Sequence, residues 1–483
     1  MKPFKHQAEE LERTRNLPVW ARFWDQGTGK SKTTIDEAVS QYERGEIDGL
    51  LVVAPGGVDL NWVTDELPKH LPEAVYARST IARYRTKSAQ TQWHQRMIRQ
   101  VVAAPKLAVL AMSYDAFMTK LGKQAAWKFL SNRKTFYVLD ESSAIKTPGA
   151  KRTKSLIASG KYAKHKRILD GTPAVDSPFE IYSQLRFLDD QYWHKVGIGR
   201  TYAEFKRYFG VWRTRADVQA TYGYDPGFDK LIAYKHVDEL KSIITNISSR
   251  VTKDEALDLP PKLFTNRYVE LTPKQDKHYQ ELKNEYAAEL DSGHIVDAPL
   301  AIVRLLRLQQ IACGYLPTDD EDEPYQAIDP ERNPRLESLI ELLDSLTHPA
   351  IIWARFSRDI DLICDRLGDR AVRYDGQVSD DERARSKNQF VRGDVQFFVG
   401  NPAAGATGLT LTPARTVVYY NNSFKLRERL QSEDRAHRIG QEHPVEYIDL
   451  VAVGTVDEHI TKALRDKYEI STQLSGDSMR DWL

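Results

Sequence analysis

A glycine-punctuated loop near the N-terminus has the residue types that bind phosphate groups. An apolar stretch runs into Gly27 and Gly29, which Lys30, Ser31 and a helical pattern follow. Two glycines would let backbone N–H groups face phosphate oxygens, and the helix N-terminus adds partial positive charge. Lys30 would place a point charge on the outer phosphates, and the Ser31 hydroxyl could ligate magnesium. A glycine-rich turn with an exposed lysine is the alternative, because Trp24 stands where a strict phosphate loop begins with glycine.

Two adjacent carboxylates follow a later apolar run. The segment TFYVLDESSAIK (135–146) places Asp140 and Glu141 directly after YVL, at the carboxyl end of a predicted strand. Parallel α/β sheets bind their ligands at that end. Asp140 could hold a magnesium ion there, and Glu141 could orient and deprotonate an attacking water. A lone Asp-Glu pair would be read as a solvated acidic turn, but the phosphate loop upstream favours a catalytic pair.

Two arginines late in the chain could donate to a phosphoryl group. The segment QSEDRAHRIGQ (431–441) follows a second small-residue loop, GATGLTLT (405–412), and carries Gln431, Arg435 and Arg438 at helical spacing. Arg435 and Arg438 are three residues apart, so a helix would place both on one face. They could be ordinary surface charge, or donors to a phosphoryl group held by another domain.

The elements that must position these side chains alternate between strand-like and helical patterns. Apolar runs that end in Gly, Pro or polar residues occur in segments 17–31, 49–62, 106–117, 135–146, 169–173, 265–275, 350–357, 370–377, 395–401 and 414–422. This alternation predicts an α/β fold with parallel sheets. We expect lobe one over residues 1–262, with an irregular aromatic-rich insertion at about 188–250. We expect lobe two over residues 263–483, with a helical insertion at about 275–330.

A basic stretch follows the acidic pair. Between Ser142 and Leu169 the chain has eight Lys and Arg residues and no acidic residue. Contact with a phosphate backbone requires such a local excess, although a solvated basic face would have the same composition. Both interpretations stay open at this point. The aromatic residues between 188 and 262 could stack on bases, but packing within a subdomain is the favoured interpretation.

Composition excludes several classes of protein. The 483 residues carry a formal net charge of +1, with 41% hydrophobic and 28% charged residues. These values exclude a disordered chain and a uniformly basic nucleic-acid coat. Two cysteines, Cys313 and Cys364, are too few for a disulfide framework or a zinc cluster. The charged N-terminal segment and the lack of an apolar run of about 18 residues lead us to expect a soluble protein without a membrane span.

Seven short motifs follow one another along nearly the whole chain. They are FKHQ (4–7), DQGTGKS (25–31), VVAPGGVDLNW (52–62), LDESSAIK (139–146), LDGTP (169–173), GATGLTLT (405–412) and QSEDRAHRIGQ (431–441). In this order they resemble superfamily-two helicases, and among these the SWI/SNF-type double-stranded DNA translocases. DRAHRIGQ is among the most specific parts, and LPPK (259–262) and GTVDEHI (454–460) also fit. The resemblance implies two RecA-like lobes with helical insertions.

The resemblance also implies roles for individual residues. The implied ATP-binding residues are Gln7, Gly27, Thr28, Gly29, Lys30, Ser31, Gly405 and Gly408. The implied catalytic residues are Lys30, Asp140, Glu141, Gln431, Arg435 and Arg438, with Ser31 and Asp140 as ligands of Mg²⁺. The implied nucleic-acid contacts are Pro55, Gly56, Ser113, Tyr114, Lys146 and Thr407. In this scheme Gln7 reads the adenine, and Arg435 and Arg438 reach the γ-phosphate from lobe two when the lobes close.

The activity implied by the resemblance is hydrolysis of ATP by a motor that translocates on double-stranded DNA and remodels protein–DNA or branched DNA structures. A strand-separating helicase would use the same motifs, and single-stranded DNA is a possible further partner. A nucleotide-dependent DNA-binding scaffold without productive hydrolysis is a further alternative. The chain has no recognisable histone reader, which favours a bacterial or phage enzyme. We therefore expect a monomer in the cytoplasm of a bacterial or phage-infected cell.

Two departures from the family pattern concern the coupling elements. Ser142 and Ser143 stand where the family usually has Ala-His, and Asp170 replaces the usual Ser or Thr before Gly-Thr-Pro. Both segments would link the nucleotide to DNA. The sequence therefore supports ATP hydrolysis more firmly than the way in which hydrolysis is coupled to movement.

Overall fold

Two compact units make up the chain, and each has its own parallel sheet. The computed structural model describes residues 3–222, 229–291, 298–318, 324–405 and 409–475. Unit 1 consists mainly of Met1–Gly210 and Tyr234–Asp258, and unit 2 mainly of Val211–Ala233 and Leu259–Glu469. The lobe boundary at residue 262 stays a prediction. None of the helices in the described ranges combines the length and the apolar character needed to cross a membrane.

The strands alternate with helices, as the apolar runs predict. In chain order they are β1 (Val19–Trp24), β2 (Gly49–Ala54), β3 (Thr80–Arg83), β4 (Ala108–Ser113), β5 (Thr135–Asp140), β6 (His165–Leu169), β7 (Gly210–Arg213), β8 (Lys230–Tyr234), β9 (Ser248–Val251), β10 (Lys262–Val269), β11 (Tyr315–Pro317), β12 (Tyr325–Ala327), β13 (Ala350–Trp353), β14 (Ala371–Tyr374), β15 (Phe397–Gly400), β16 (Thr416–Tyr419) and β17 (Val445–Ala452). Most are four to six residues long, so loops begin soon after each buried segment.

The helices lie between these strands and in the segments that connect the sheets. They are α1 (Lys5–Thr14), α2 (Lys30–Glu43), α3 (Val58–Asn61), α4 (Leu67–His70), α5 (Glu73–Tyr76), α6 (Gln92–Val102), α7 (Tyr114–Met118), α8 (Lys120–Asn132), α9 (Lys151–Gly160), α10 (Ile181–Leu188), α11 (Tyr192–Lys195), α12 (Tyr202–Phe209), α13 (Arg215–Tyr222), α14 (Val237–Thr245), α15 (Lys253–Ala256), α16 (Pro273–Asp291), α17 (Ala298–Ala312), α18 (Pro334–Ser345), α19 (Ser357–Leu367), α20 (Asp380–Arg392), α21 (Pro402–Gly405), α22 (Leu426–Glu433) and α23 (Val456–Ser475). A π-helical turn, Trp62–Glu66, joins α3 to α4.

The sheet of unit 1 has the strand order β3-β4-β2-β5-β6-β1-β9, and its paired strands are parallel. β2 and β5 are buried at every residue, as expected for strands covered on both faces. β1, β6 and β5 are neighbours, so the loops after Trp24, Leu169 and Asp140 leave the same edge of the sheet. This edge therefore gathers the phosphate loop and the acidic pair.

The sheet of unit 2 has the strand order β10-β17-β16-β13-β15-β14, again with parallel pairs. Its central strands β13, β15 and β16 are buried at every residue and fall within the predicted apolar runs. The α/β fold class with two parallel-sheet, RecA-like units is thus confirmed. Three sheet strands, β3, β9 and β17, were not predicted; β9 (SSRV) is too polar to be recognised as a strand.

A buried ionic network fixes the elements around the phosphate loop. The Glu37 carboxylate on α2 lies 2.5 Å from the Arg22 guanidinium on β1, and it also accepts from Arg167 on β6 at 3.0 Å. Arg22 reaches Glu10 on α1 at 3.2 Å. Burial alone would raise the pKa of Glu37, but the two guanidinium charges hold it below its ordinary value. The network therefore stays ionised and holds α1 and α2 on the sheet.

The expectation of an irregular segment at about 188–250 is wrong. That range contains α11, α12 and α14 and ends within β9, which pairs with β1. α12 begins with a capping box in which Thr201 and Glu204 satisfy each other's backbone N–H groups, a signal for a helix start. The favoured packing of aromatics is observed for Tyr192, Trp193 and Phe209, which are buried.

Candidate functional site

The phosphate loop lies between the end of β1 and the start of α2, the layout that its sequence predicts. Gly27 and Gly29 both have positive φ, at 85° and 92°. At Gly29 a Cβ atom would lie 2.0 Å from the Gln7 amide nitrogen, so glycine is required there by both conformation and space. Trp24, which replaces the first glycine of a strict loop, is a buried strand residue whose indole donates to Ser249 Oγ at 2.9 Å.

The Lys30 ammonium folds back onto its own loop. Its Nζ donates to the Trp24 carbonyl oxygen at 2.7 Å and to the Asp25 carbonyl oxygen at 3.2 Å. The Asp25 carboxylate is in turn held at 2.7 Å by Arg250, a residue of β9. Ser31 follows in the first turn of α2 and is partly exposed. The lysine and the helix N-terminus are thus positioned around one loop, as phosphate binding requires.

Gln7 connects α1 to the phosphate loop. Its Oε1 accepts from the Phe4 N–H at 3.0 Å, and its Nε2 donates to the Thr28 carbonyl oxygen at 3.3 Å. An amide oxygen has a second lone pair, and an amide nitrogen has a second proton. Oε1 can therefore accept one more hydrogen bond, and Nε2 can donate one more, to a nucleobase. The Thr28 hydroxyl donates to the Asp25 carbonyl oxygen at 2.8 Å and so stabilises the loop from within.

The acidic pair stands at the end of β5. Asp140 is 7% exposed; its Oδ2 accepts from the Trp62 indole N–H at 2.8 Å, and its Oδ1 from the Glu141 backbone N–H at 3.0 Å. Glu141 has a left-handed backbone conformation, with φ 53° and ψ 59°. Outside glycine such a conformation is uncommon and occurs often at functional sites. It turns the chain sharply at the end of β5.

Electrostatics around Asp140 favour a cation beside it. Burial raises the pKa of Asp140 above its ordinary value, although the Trp62 hydrogen bond and the Lys30 charge favour the carboxylate. A bound cation would offset that cost of burial. Together with the Ser31 hydroxyl, Asp140 offers the hard oxygen donors that Mg²⁺ prefers. The described residues contain no group of three or more His, Cys, Asp or Glu arranged around a metal, and Mg²⁺ at phosphate sites typically uses only one or two carboxylates.

Sequence reasoning missed Trp62 as a site residue, and it noted Asp170 only as a departure from the family pattern, without its contacts. Trp62 is 1% exposed and begins the π-helical turn, a feature that often marks functional sites. Its position seven residues after Pro55 gave no signal of contact with Asp140, which comes 78 residues later. Asp170 Oδ2 accepts from the Ser143 N–H and its Oδ1 from the Thr172 N–H, both at 2.8 Å.

The two departures from the family pattern are therefore linked in space. Asp170 joins the DESS turn to the Gly-Thr-Pro turn through its two carboxylate oxygens. Ser142 donates to Gln184 Oε1 at 2.6 Å, and the Gln184 amide donates to the Pro173 carbonyl oxygen, also at 2.6 Å. Both bridges are buried and run between the same two turns. The unusual residues thus retain a physical connection between these turns.

The predicted nucleic-acid contacts differ in accessibility. Pro55 is partly exposed and Gly56 is exposed, in the loop after β2. Ser113 caps α7 by accepting from the Ala116 N–H at 3.0 Å. Tyr114 is 3% exposed and its hydroxyl donates to the Asp140 carbonyl oxygen at 2.9 Å, so its ring supports the acidic pair from inside the protein and offers no surface to DNA.

Lys146 is paired with carboxylates, and Thr407 lies outside the described residues. The Lys146 ammonium donates to Glu180 at 2.6 Å and to Asp176 at 2.9 Å. Burial disfavours its charge, but these two carboxylates hold its pKa above the ordinary value. A DNA phosphate would have to compete with both of them. Lys146 is therefore a weaker candidate for a DNA contact than Gly56.

In unit 2 the two late arginines converge on one carbonyl group. Arg435 NH1 donates to the Leu409 carbonyl oxygen at 3.3 Å, and Arg438 NH1 donates to the same oxygen at 3.0 Å. Arg435 Nε also donates to the Gln431 carbonyl oxygen at 2.8 Å. The expectation that one helix carries all three residues is wrong, because α22 ends at Glu433. The turns after α22, tied to Leu409, bring the two guanidinium groups together instead.

The small-residue loop of unit 2 is described only in part. Gly405 ends the short helix α21, which follows β15. Gly408 lies outside the described residues, as does Thr407. Leu409 and Leu411, just beyond them, are buried. Leu411 N–H donates to the Arg435 carbonyl oxygen at 2.9 Å, so the end of this loop packs directly on the arginine turns.

The chain matches two protein families. Residues 22–314 match the SNF2-related domain, and residues 334–440 match the helicase conserved C-terminal domain. Chromodomain-helicase-DNA-binding protein 1-like of Danio rerio is 26% identical over 450 residues, covering 90% of this chain and 40% of that protein. YwqA of Bacillus subtilis, a proposed ATP-dependent helicase/translocase, is 26% identical over 348 residues, covering 70% of this chain and 35% of that protein.

A solved structure is similar to the chain over nearly its full length. The Sulfolobus solfataricus SWI2/SNF2 ATPase core in complex with dsDNA covers 99% of this chain and 94% of its own, at 23% identity and a TM-score of 0.41. The chain spans about two fifths of the length of the curated relatives described above. Because the SNF2-related domain match extends over more than half of its residues, the chain belongs to the SNF2-related domain family.

Proposed function

We propose that this protein is a DNA-dependent ATPase that hydrolyses ATP to ADP and phosphate and translocates on double-stranded DNA. The observation that carries the proposal is the arrangement at one edge of the unit 1 sheet. There the phosphate loop with Lys30 follows β1, and Asp140 and Glu141 follow β5. Phosphoryl transfer to water requires a phosphate-binding loop, a carboxylate that can hold a metal ion and a second carboxylate that can activate the water. Membership of a helicase-like family supports the same reading.

The residues of unit 1 would divide the chemistry among them. Lys30 and the N-terminus of α2 bind the outer phosphates, and Ser31 and Asp140 would hold Mg²⁺, which neutralises charge on the phosphate oxygens. Glu141 orients a water and accepts its proton as the water oxygen bonds to the γ-phosphorus. The bond between that phosphorus and the β–γ bridging oxygen breaks, and ADP leaves. Gln7 would hold the adenine through the remaining hydrogen-bond acceptor and donor of its side-chain amide.

Unit 2 would supply Gln431, Arg435 and Arg438. The guanidinium groups would stabilise negative charge that develops on the transferred phosphoryl group, as arginine fingers do. Repeated binding and hydrolysis would then move the units along the DNA backbone, with Pro55, Gly56 and Ser113 as candidate contacts. Because such contacts are made to phosphates, binding would be sensitive to salt and largely independent of sequence. Remodelling of protein–DNA or branched DNA structures would follow from this movement.

ATPase assays with different nucleic acids test the proposal. We expect double-stranded DNA to stimulate ATP turnover more than single-stranded DNA or RNA does, because the proposed track is a duplex. Triplex displacement should occur without strand separation in a parallel assay. Strand separation without triplex displacement would favour the helicase alternative. No turnover with any of the three nucleic acids would contradict the proposal and favour a scaffold.

We further propose a monomer that acts in the cytoplasm of a bacterial or phage-infected cell; a bacterial relative supports this location.

Trp62→Phe should weaken the metal site without removing a ligand. The indole N–H fixes the orientation of the Asp140 carboxylate, and loss of such an outer partner typically costs 10–100-fold in metal affinity or activity. We expect the Mg²⁺ concentration for half-maximal ATP turnover to rise by roughly 10–100-fold. The measurement is ATP turnover titrated with Mg²⁺ at fixed, saturating ATP.

Trp20→Phe is the matched control for this effect. It removes another buried indole hydrogen bond, from Trp20 Nε1 to Glu10 at 2.9 Å, within the same unit. We expect this variant to lose stability but to keep the Mg²⁺ requirement of the wild type. An equal Mg²⁺ requirement in Trp62→Phe and Trp20→Phe would show that the Asp140 contact has no positioning role.

A further inference from the structure

A row of exposed lysines runs along one face of α9 in unit 1 and ends at Lys161, the residue directly after the helix. Lys151, Lys154 and Lys161 are separated by three and seven residues and are all exposed, which is the spacing of a single helix face. From Lys151 to Lys161 this row is about 15 Å long at 1.5 Å per residue. That length equals the rise of about four phosphates along one strand of B-DNA. The row therefore matches an extended polyanion better than a small ion.

The row leads into a groove with two further lysines. The groove has a volume of about 450 Å³ and is lined by residues from the starts of β1 and β6 and from the end of α10. Pro18, Val19 and Phe187 contribute apolar residues to the lining, and Lys164 and Lys166 line the same groove. Lys166 Nζ lies 5.9 Å from the centre of the Phe187 ring.

The charges in the groove do not balance. Its lining has five cationic and two acidic side chains, a formal net charge of +3. The two carboxylates are already used, because Asp189 pairs with Lys195 at 2.5 Å and Asp190 lies 3.5 Å from Lys161 and also binds Arg186.

Neither Lys164 nor Lys166 forms a salt bridge in the parts of the chain that the structure describes, although Lys164 interacts electrostatically with Glu46. Burial lowers the pKa of Lys166 to about 8, against the attraction of the two aspartates. Its ammonium group is thus poorly compensated within the protein. A phosphate placed in the groove would supply the missing negative charge.

The groove is separate from the phosphate loop. It opens at the amino ends of β1 and β6, whereas the phosphate loop and Asp140 follow the carboxyl ends of β1 and β5. The six residues of β1 span roughly 20 Å at 3.3 Å per residue. ATP bound at one edge of the sheet therefore cannot account for the unpaired lysines at the other edge.

We propose that Lys151, Lys154, Lys161, Lys164 and Lys166 form a second contact surface for the phosphate backbone of DNA on unit 1. This inference rests on the proposed function, because it assumes that DNA is the substrate, but it assigns a surface distinct from the loops at the carboxyl edge. The apolar floor of the groove seats the sugar edge of the backbone while Lys164 and Lys166 bind its phosphates. The surface holds DNA during the steps in which contacts at the carboxyl edge are released.

The test is the salt dependence of duplex binding by the variant Lys154→Gln/Lys164→Gln/Lys166→Gln. Each phosphate contact contributes about 0.9 to the slope of log K against log salt, so the magnitude of the slope should fall by about 2.7 for three contacts. Fluorescence anisotropy with a labelled duplex gives the slope. ATP turnover without DNA should stay at the wild-type level, because none of these residues touches the phosphate loop.

A matched control removes the same charge from exposed lysines elsewhere in unit 1, in the variant Lys87→Gln/Lys106→Gln/Lys120→Gln. A salt-dependence slope in the Lys154→Gln/Lys164→Gln/Lys166→Gln variant equal to that of the control would overturn the inference. If the half-buried Lys166 impairs folding, the pair Lys154→Gln/Lys164→Gln, both exposed, should still lower the slope by about 1.8.

Two further outcomes are distinct. Wild-type protein that fails to bind duplex would contradict the proposed function itself. The triple variant could instead lose binding of inorganic pyrophosphate while its salt-dependence slope for duplex binding stays unchanged. That result would identify a small-anion site and overturn the assignment to DNA.

Discussion

Arg438→Ala is expected to lower DNA-stimulated ATP turnover by roughly 10³–10⁵-fold, the range that an arginine finger contributes. The guanidinium would stabilise the charge that develops on the phosphoryl group as it leaves ADP. Arg438 is the cleaner test of the two arginines. It is partly exposed, whereas Arg435 is 3% exposed and donates to the carbonyl oxygens of both Gln431 and Leu409. Loss of Arg435 would also disturb the turn that positions its neighbour.

Steady-state ATP turnover with saturating duplex measures the effect, and thermal unfolding shows that the variant is folded. Arg415→Ala is the control, because Arg415 is an exposed arginine of the same unit and directly precedes β16. Arg438→Lys should recover only a small part of the activity, since an ammonium lacks the planar fork of donors. Turnover near the wild-type level in Arg438→Ala would remove Arg438 from the proposed chemistry.

Most strands of the two sheets could be predicted, because their sequences are dominated by residues that become buried. Runs such as GLLVVA in β2 and AIIW in β13 are buried at every residue, and strands covered on both faces read as continuous apolar segments. Their order in the chain, together with acidic or glycine-rich residues just after them, also located the edge where the phosphate loop and the acidic pair meet. The strongest chemical signals were therefore local in sequence.

The contacts that orient the site were not predictable, because they join residues far apart in the chain. Trp62 reaches Asp140 across 78 residues, and Arg250 holds Asp25 across more than 200. The sequence around Trp62 does not indicate which carboxylate accepts the hydrogen bond from its indole N–H. The same holds for Asp170, which replaces a hydroxyl residue of the family and whose bonds to the DESS turn require the β5–β6 pairing.

The arginine turns show a different limit of sequence reasoning. Periodicity extends a helix through Arg435 and Arg438, but the chain leaves the helix after Glu433. The physical reason is a competing set of bonds. Glu433, on the last turn, accepts from Arg429 at 2.8 Å and from Lys262 at 3.0 Å. The next residues bond instead to Leu409 and Leu411, beyond the small-residue loop. Tertiary contacts, rather than helix propensity, thus set the direction of the guanidinium groups.

Glu141→Gln is expected to lower ATP turnover by roughly 10²–10⁴-fold, the usual contribution of a general base. The amide has the shape of the carboxylate but cannot accept the proton of the attacking water. Glu141 is held with φ 53° directly beside the buried Asp140, so its backbone position is specified independently of the side-chain charge. The isosteric change should therefore preserve both folding and ATP binding, which a fluorescent nucleotide titration measures.

Glu46→Gln provides the control for a carboxylate-to-amide change in the same unit. Glu46 pairs with Arg44 at 2.9 Å on the surface, and exposed pairs of this kind contribute about 0–1 kcal/mol. This variant should retain full ATP turnover. A Glu141→Gln protein that binds ATP and hydrolyses it at the wild-type rate would refute the assigned base. The acidic pair would then act through Asp140 alone, and water activation would have to come from a group elsewhere in the protein.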